Sequence, residues 1–191
     1  MKRLVTFGCS LTYGQHLDNR EEQCWPAQLS KMLNIEMLNM SKPGASNKEI
    51  MYNILNFDFQ EDDICIILWT NPHRWIIFNE DSETSLGAWQ NTKQSMAFVE
   101  HFWNEYDMGL DVLEKSSHIQ LRLDKLNIPV YHTISLLNFI TSIPEQSWSI
   151  ANWLDVDFQT IRDSHPKTND NSHPGPEAYK EFAGILLERM K

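Results

Sequence analysis

Three stretches of this chain are almost wholly apolar over strand length, and they restrict its fold more than any other feature. They are residues 4–7 (Leu4-Val5-Thr6-Phe7), 64–69 (Ile64-Cys65-Ile66-Ile67-Leu68-Trp69) and 128–134, which opens Ile128-Pro129-Val130. A strand with one wet face alternates apolar and polar residues. A continuous apolar run needs cover on both faces, which is the signature of parallel strands between two helical layers. Residues 35–40 form a weaker run with polar interruptions. Pro129 suits the start of a strand, where a missing N–H costs least.

Helical periodicity fills the gaps. Trp25, Leu29, Met32 and Leu33 share a face, with Pro26 in the first turn. Ser46-Asn47-Lys48-Glu49 reads as a capping box ahead of Ile50, Ile54 and Leu55. A longer helical stretch lies within 109–126. Gly175-Pro176 opens a last helix that aligns Tyr179, Phe182, Ala183, Leu186 and Met190. Strand–helix alternation of this kind predicts an α/β protein. The expected architecture is a flavodoxin-like, three-layer α/β/α sandwich on a mainly parallel sheet of about five strands. Four strands are visible, and the fifth is expected within 138–169. That segment and 80–103 have no clear period. At 191 residues, without repeats or linkers, residues 1–191 read as a single domain.

Composition narrows the function. Sixteen Lys and Arg against 26 Asp and Glu give a net charge of −10, with no basic cluster, which argues against nucleic acid as a partner. Cys9, Cys24 and Cys65 have no disulfide or zinc-knuckle spacing. No apolar stretch reaches membrane-spanning length, and the run after Met1-Lys2-Arg3 is too short for a signal-peptide core. The expectation is a cytoplasmic protein with no membrane insertion. Oligomeric state is left open.

In a doubly wound sheet, ligands bind beyond the carboxyl ends of the strands. Gly8-Cys9-Ser10 follows the first strand, Lys42-Pro43-Gly44-Ala45-Ser46 the second and Thr70-Asn71-Pro72-His73 the third. A nucleophilic serine, two backbone N–H groups (Ser10, Gly44) and the Asn71 amide would then meet, and these donors suit an oxyanion. A serine also needs a base. Of seven histidines, two sit in matching "Ser-His-Pro" settings, His165 and His173. Asp170 lies three residues before His173 and can fold back onto its ring, whereas Arg162 holds the equivalent place before His165. His173 is therefore the candidate base and Asp170 its orienting acid. A metal set of His165, Asp170 and His173 has no spacing to recommend it, and no Gly-rich phosphate fingerprint supports a nucleotide or flavin. No cofactor is expected.

These blocks, in this order, resemble the SGNH/GDSL family of serine esterases. Gly8-Cys9-Ser10-Leu11-Thr12 is similar to the family's nucleophile block, with Cys9 in place of its Asp. Trp25-Pro26 is similar to its first-helix signature, Gly44 to its second block, and Asp170-Asn171-Ser172-His173-Pro174 to its terminal block, with Tyr179 following. The third block departs: Trp69-Thr70-Asn71-Pro72 stands where Gly-x-Asn-Asp is usual. The resemblance implies a Ser10–His173–Asp170 triad, a covalent acyl-enzyme and an oxyanion hole of Ser10, Gly44 and Asn71. His73, Arg74, Trp69 and Trp75, with Trp89 nearby, are candidates for the substrate rim. Seven tryptophans suit a carbohydrate or other small O-acyl ester. A lysophospholipase or thioesterase of the same family is an alternative. So is a non-catalytic glycan- or partner-binding module on a hydrolase-like fold.

Overall fold

Double-sided burial is realised most fully in the third strand. The computed structural model describes residues 2–78, 83–87, 90–135, 143–144 and 149–191. Strand β3 (Asp63–Trp69) is buried at all seven positions and pairs in parallel with β1 (Arg3–Phe7) and β6 (Val130–Ile134). Strand β2 (Glu36–Asn39) adds beside β1, and β7 (Trp153–Asp157) beside β6, giving the parallel order β2-β1-β3-β6-β7. The expected fifth strand is thus β7, inside the unassigned 138–169 segment. Its burial alternates, Leu154 and Val156 inward, but over only five residues at a sheet edge, too short a run to stand out in the sequence.

The two faces of the sheet sort by residue parity. Val5, Phe7, Cys65, Ile67 and Trp69 point to one side. There they pack on Ile50 and Ile54 of α4 (Asn47–Leu55) and on Val112, Ile119 and Leu123 of α6 (Glu105–Lys125). Leu4, Ile64, Ile66 and Leu68 point to the other. They meet α3 (Trp25–Leu33), α7 (Phe158–Ser164) and α8 (Pro176–Arg189) through Trp25, Leu29, Phe158, Phe182 and Leu186. Burial of these side chains at about 25 cal/mol per Å² is the main stabilising term. The arrangement is the three-layer sandwich expected. Short helices α1 (Ser10–Tyr13) and α2 (Arg20–Gln23) precede α3, and α5 (Lys93–His101) precedes α6.

Two features differ from expectation. Helix α6 starts at Glu105 rather than near 109, because the Asn104 side chain caps it by accepting from the Asp107 N–H at 3.0 Å. An antiparallel hairpin forms a separate two-stranded sheet: β4 (Arg74–Phe78) follows the Asn71 loop, and β5 (Glu83–Gly87) falls in the unassigned 80–103 stretch. At the amino edge of the main sheet, Arg3 grips Asp63 through two bonds of 2.7 Å, tying the starts of β1 and β3. Among the described residues, no helix is long and apolar enough to cross a membrane.

His132 sits fully buried on β6, where Trp69 Nε1–H donates to its Nδ1 at 3.1 Å. Burial pushes this imidazole down to about 3, so the folded protein holds it neutral. The unfolded chain binds its proton from about pH 6.5 downward, and the folded chain only near pH 3. Stability is therefore whole above that window and declines as pH falls through it, by about 1.4 kcal/mol per pH unit. Urea unfolding of the wild type should lose about 2 kcal/mol between pH 6.5 and 5. His132→Gln, neutral throughout, should show a visibly flatter profile.

Candidate functional site

Numbered along the chain, the five sheet strands lie in the order 2-1-3-4-5, so the direction of winding reverses between β1 and β3. A crevice at the carboxyl ends of strands forms at such a point. Ser10 follows β1 and Asn71 follows β3.

The first loop turns with no slack. A Cβ on Gly8 would lie 2.1 Å from Thr12 Oγ1 and 3.0 Å from the Leu68 carbonyl, so only glycine lets the chain fold straight from β1 into α1. Cys9 is extended and fully buried, and Ser10 opens the helix at 4% exposure. As a first-turn residue, Ser10 has an N–H with no helical acceptor, and among the described residues it has no other.

The second loop is tied to the first. Lys42 N–H donates to the Gly8 carbonyl at 3.2 Å, and Asn39 Nδ2 donates to the Thr12 carbonyl at 2.9 Å. Lys42-Pro43-Gly44-Ala45 is a turn closed by Ala45 N–H to the Lys42 carbonyl at 3.1 Å, with Gly44 at φ 79°. Pro at the second position and a left-handed glycine at the third are what a type II turn requires. The Gly44 N–H has no partner among the described residues, and its Cα faces open space. The capping box of α4 is half built. Ser46 Oγ accepts from Glu49 N–H at 3.2 Å, but the Glu49 carboxylate turns to Lys42 Nζ at 2.6 Å instead.

The third loop is held by a residue that sequence reasoning missed. Asn47, 3% exposed, takes the Thr70 N–H on its Oδ1 at 2.8 Å and donates Nδ2 to the Thr70 carbonyl at 3.0 Å. Its amide continues the ladder where β3 ends, and it joins the Gly44 loop to the Asn71 loop. No sequence signal marks it, since it fills an unspecified position of the capping box. Asn71 then turns the chain: its carbonyl accepts from Arg74 N–H at 3.2 Å and its Oδ1 from His73 N–H at 3.0 Å. That second bond decides which way the amide points, and it leaves Nδ2 with no acceptor among the described residues.

The fourth loop is stapled internally. Thr168 N–H reaches the His173 carbonyl and Gly175 N–H the Pro166 carbonyl, both at 2.9 Å. Asp170 sits at its centre. Oδ1 accepts from the Thr168 hydroxyl at 2.6 Å and from the N–H groups of His173 and Ser172 at 3.1 and 3.2 Å. Oδ2 accepts from the Ser172 hydroxyl and from His173 Nδ1–H, both at 2.5 Å. Desolvation opposes the charge on Asp170, but bonds from Ser172, Thr168 and His173 outweigh it and hold this carboxyl well below the usual range. Asp170 is an anion at any physiological pH and fixes the proton of His173 on Nδ1. Among the described residues no hydrogen bond joins Ser10 to His173.

The remaining candidates separate. His165 is engaged elsewhere, with Nε2 2.6 Å from Glu181 on α8. Trp69 is corrected: it is fully buried against His132 and has no surface for a substrate, because its parity places it with Cys65 and Ile67 in the core. His73 packs edge-on to Trp103 with centroids 4.5 Å apart, and burial pushes its pKa down against the pull of Glu105. Arg74 begins β4 opposite Gly87. Trp75 lines a cavity of about 650 Å³ with Leu86, Phe98 and Met108, which none of Ser10, Asp170 and His173 lines. Trp89 lies outside the described residues. His16, set aside in the sequence, lies against His173 with ring centroids 5.0 Å apart.

Comparison with solved structures follows this geometry. The chain superposes on TesA over 100% of its own length and 98% of that chain, with a TM-score of 0.67 at 11% identity. It matches a member of the lipolytic protein G-D-S-L family from Veillonella parvula over 98% and 97%, with a TM-score of 0.60 at 12% identity. It also matches an acetyl xylan esterase, Est2A, from Butyrivibrio proteoclasticus over 99% of this chain and 63% of that one, at 0.60 and 13%. The fold is theirs. No protein-family model and no curated protein matches the sequence.

Asn47→Ala would strand the Thr70 N–H and carbonyl in a buried site. It should lower the unfolding free energy by about 2–3 kcal/mol, as read by urea denaturation.

Proposed function

We propose that this chain is a serine-dependent ester hydrolase working through Ser10, His173 and Asp170. The observation that carries this reading is the 2.5 Å bond from His173 Nδ1–H to a carboxylate that is itself saturated with donors. With its proton held on Nδ1, His173 presents a bare Nε2, the form a general base must take. Ser10 is the hydroxyl for which that base is proposed. Apo hydrolases commonly close the serine–histidine contact only when substrate binds.

The steps then balance. Ser10 Oγ attacks the ester carbonyl while its proton passes to His173 Nε2. The oxygen that becomes negative is received by the Ser10 N–H, the Gly44 N–H and Asn71 Nδ2, donors at the ends of β1, β2 and β3 that have no partner among the described residues. Asp170 stabilises the imidazolium. Collapse expels the alcohol, which takes the proton from Nε2 and leaves Ser10 acylated. Water repeats the sequence, with His173 again as base, and releases the acid. No cofactor enters. A small or carbohydrate-borne O-acyl group fits best, since Ser10 sits in a tight loop at 4% exposure and a fold relative is an acetyl xylan esterase.

Purified protein with p-nitrophenyl acetate tests the proposal. Ser10→Ala and His173→Ala should each lower kcat/KM by about 10³-fold or more, and Asn71→Ala by about 10²-fold. Equal turnover by wild type, Ser10→Ala and His173→Ala would refute it.

A further inference from the structure

His16 has no part in that scheme, yet it is built into the same spot. Among the described residues it is one of four non-glycine residues at positive φ, at 66°. Its Nε2 lies 3.5 Å from Asp170 Oδ2, and its ring leans on that of His173. Gln15 Nε2 stands 3.2 Å from the same His16 nitrogen. His16 Nε2 and Asp170 Oδ2 face each other across 3.5 Å, with the Gln15 amide beside the same nitrogen.

The spacing of these groups fits a metal cation. Tetrahedral zinc with N and O ligands at about 2.0–2.1 Å sets ligand atoms about 3.3 Å apart, close to the distance already present. One ligand atom each from His16, Asp170 and His173 lies within 4.8 Å of the others. Two imidazoles and one carboxylate suit zinc, whereas magnesium and calcium favour all-oxygen sets. The surroundings add negative charge: Asp18 and Glu177 line a cleft of about 180 Å³ together with His16, against Lys167 alone of opposite sign.

We propose that His16, Asp170 and His173 form a zinc site whose occupation silences the hydrolytic centre. The site itself stands on this geometry, while the silencing rests on the reading of His173 as base. Zinc takes His173 through Nδ1, and the 2.5 Å separation from Asp170 opens by about 0.8 Å to admit it. Neutral His173 then keeps its single proton on Nε2, transferred there through water. Asp170 exchanges an N–H donor for the metal. Nε2, once protonated, has no lone pair to take the Ser10 proton. Nothing is oxidised or reduced, and chelation reverses every step.

The test is calorimetric titration of the chelator-stripped full chain with zinc chloride, and separately with magnesium chloride. Zinc should bind saturably at one ion per chain, and magnesium should not. His16→Asn, which keeps a residue tolerant of positive φ, should weaken zinc binding at least tenfold. His165→Ala, whose histidine is engaged by Glu181, should leave it unchanged. In the ester assay, zinc should abolish wild-type turnover over the same concentration range, and EDTA should restore it. Absence of saturable binding, or equal binding by His16→Asn, overturns the site. Full turnover with zinc bound overturns the silencing. A wild type that hydrolyses no ester would refute the proposed function and leave the titration to decide the metal site.

Discussion

Strand β3 has no water along its length. All seven residues are buried, so every backbone N–H and carbonyl must find a protein partner, and β1 and β6 supply them. The other layers follow from this one demand. Even-numbered residues of β3 require cover from α3, α7 and α8, and odd-numbered ones from α4 and α6. Where β3 ends, Thr70 is still buried and its pairing has run out. The Asn47 amide takes over at that point, and by doing so fixes the second and third loops against each other. Parallel strands end on the same side, so satisfying the sheet also collects its loops.

The fourth loop obeys a different logic. Its geometry is almost entirely local: Thr168, Ser172 and the backbone of 172–173 saturate Asp170 within six residues. A carboxylate so surrounded stays ionised and orients the imidazole three residues on. The sheet contributes only the platform, through α8, which begins directly after the loop. His16 reaches the same carboxylate from the loop that follows α1. Asp170 is thus the meeting point of two chain segments about 150 residues apart.

Legibility in the sequence followed the range of the interactions involved. The runs at 4–7, 64–69 and 128–134 announced β1, β3 and β6, because double burial leaves an apolar run that no loop would keep. The Asp170–His173 pairing was readable from a spacing of three, a contact made within one turn of chain. The periodicity of α6 is legible but its start is not, since that depends on the single side chain of Asn104. Strand β7 and the hairpin β4–β5 were not legible: one is an edge strand, and the other is a separate sheet in a stretch without apolar alternation. Trp69 is adjacent in sequence to the Asn71 loop, yet its parity with Cys65 and Ile67 puts it in the core.

By itself the sequence determined the layered α/β fold, the positions of most of its elements, and the residues that end its strands. These depend on periodicity and local chemistry, which a linear chain carries in full. Tertiary structure alone decided that Asn47 bridges two loops, that the Asn71 amide oxygen is taken by the His73 N–H, that Trp69 is core, and that His16 stands beside Asp170. Each of those is a contact or an orientation between segments distant in the chain. Such contacts are selected by packing and by the need to pair buried polar groups, and neither leaves a periodic trace in the sequence.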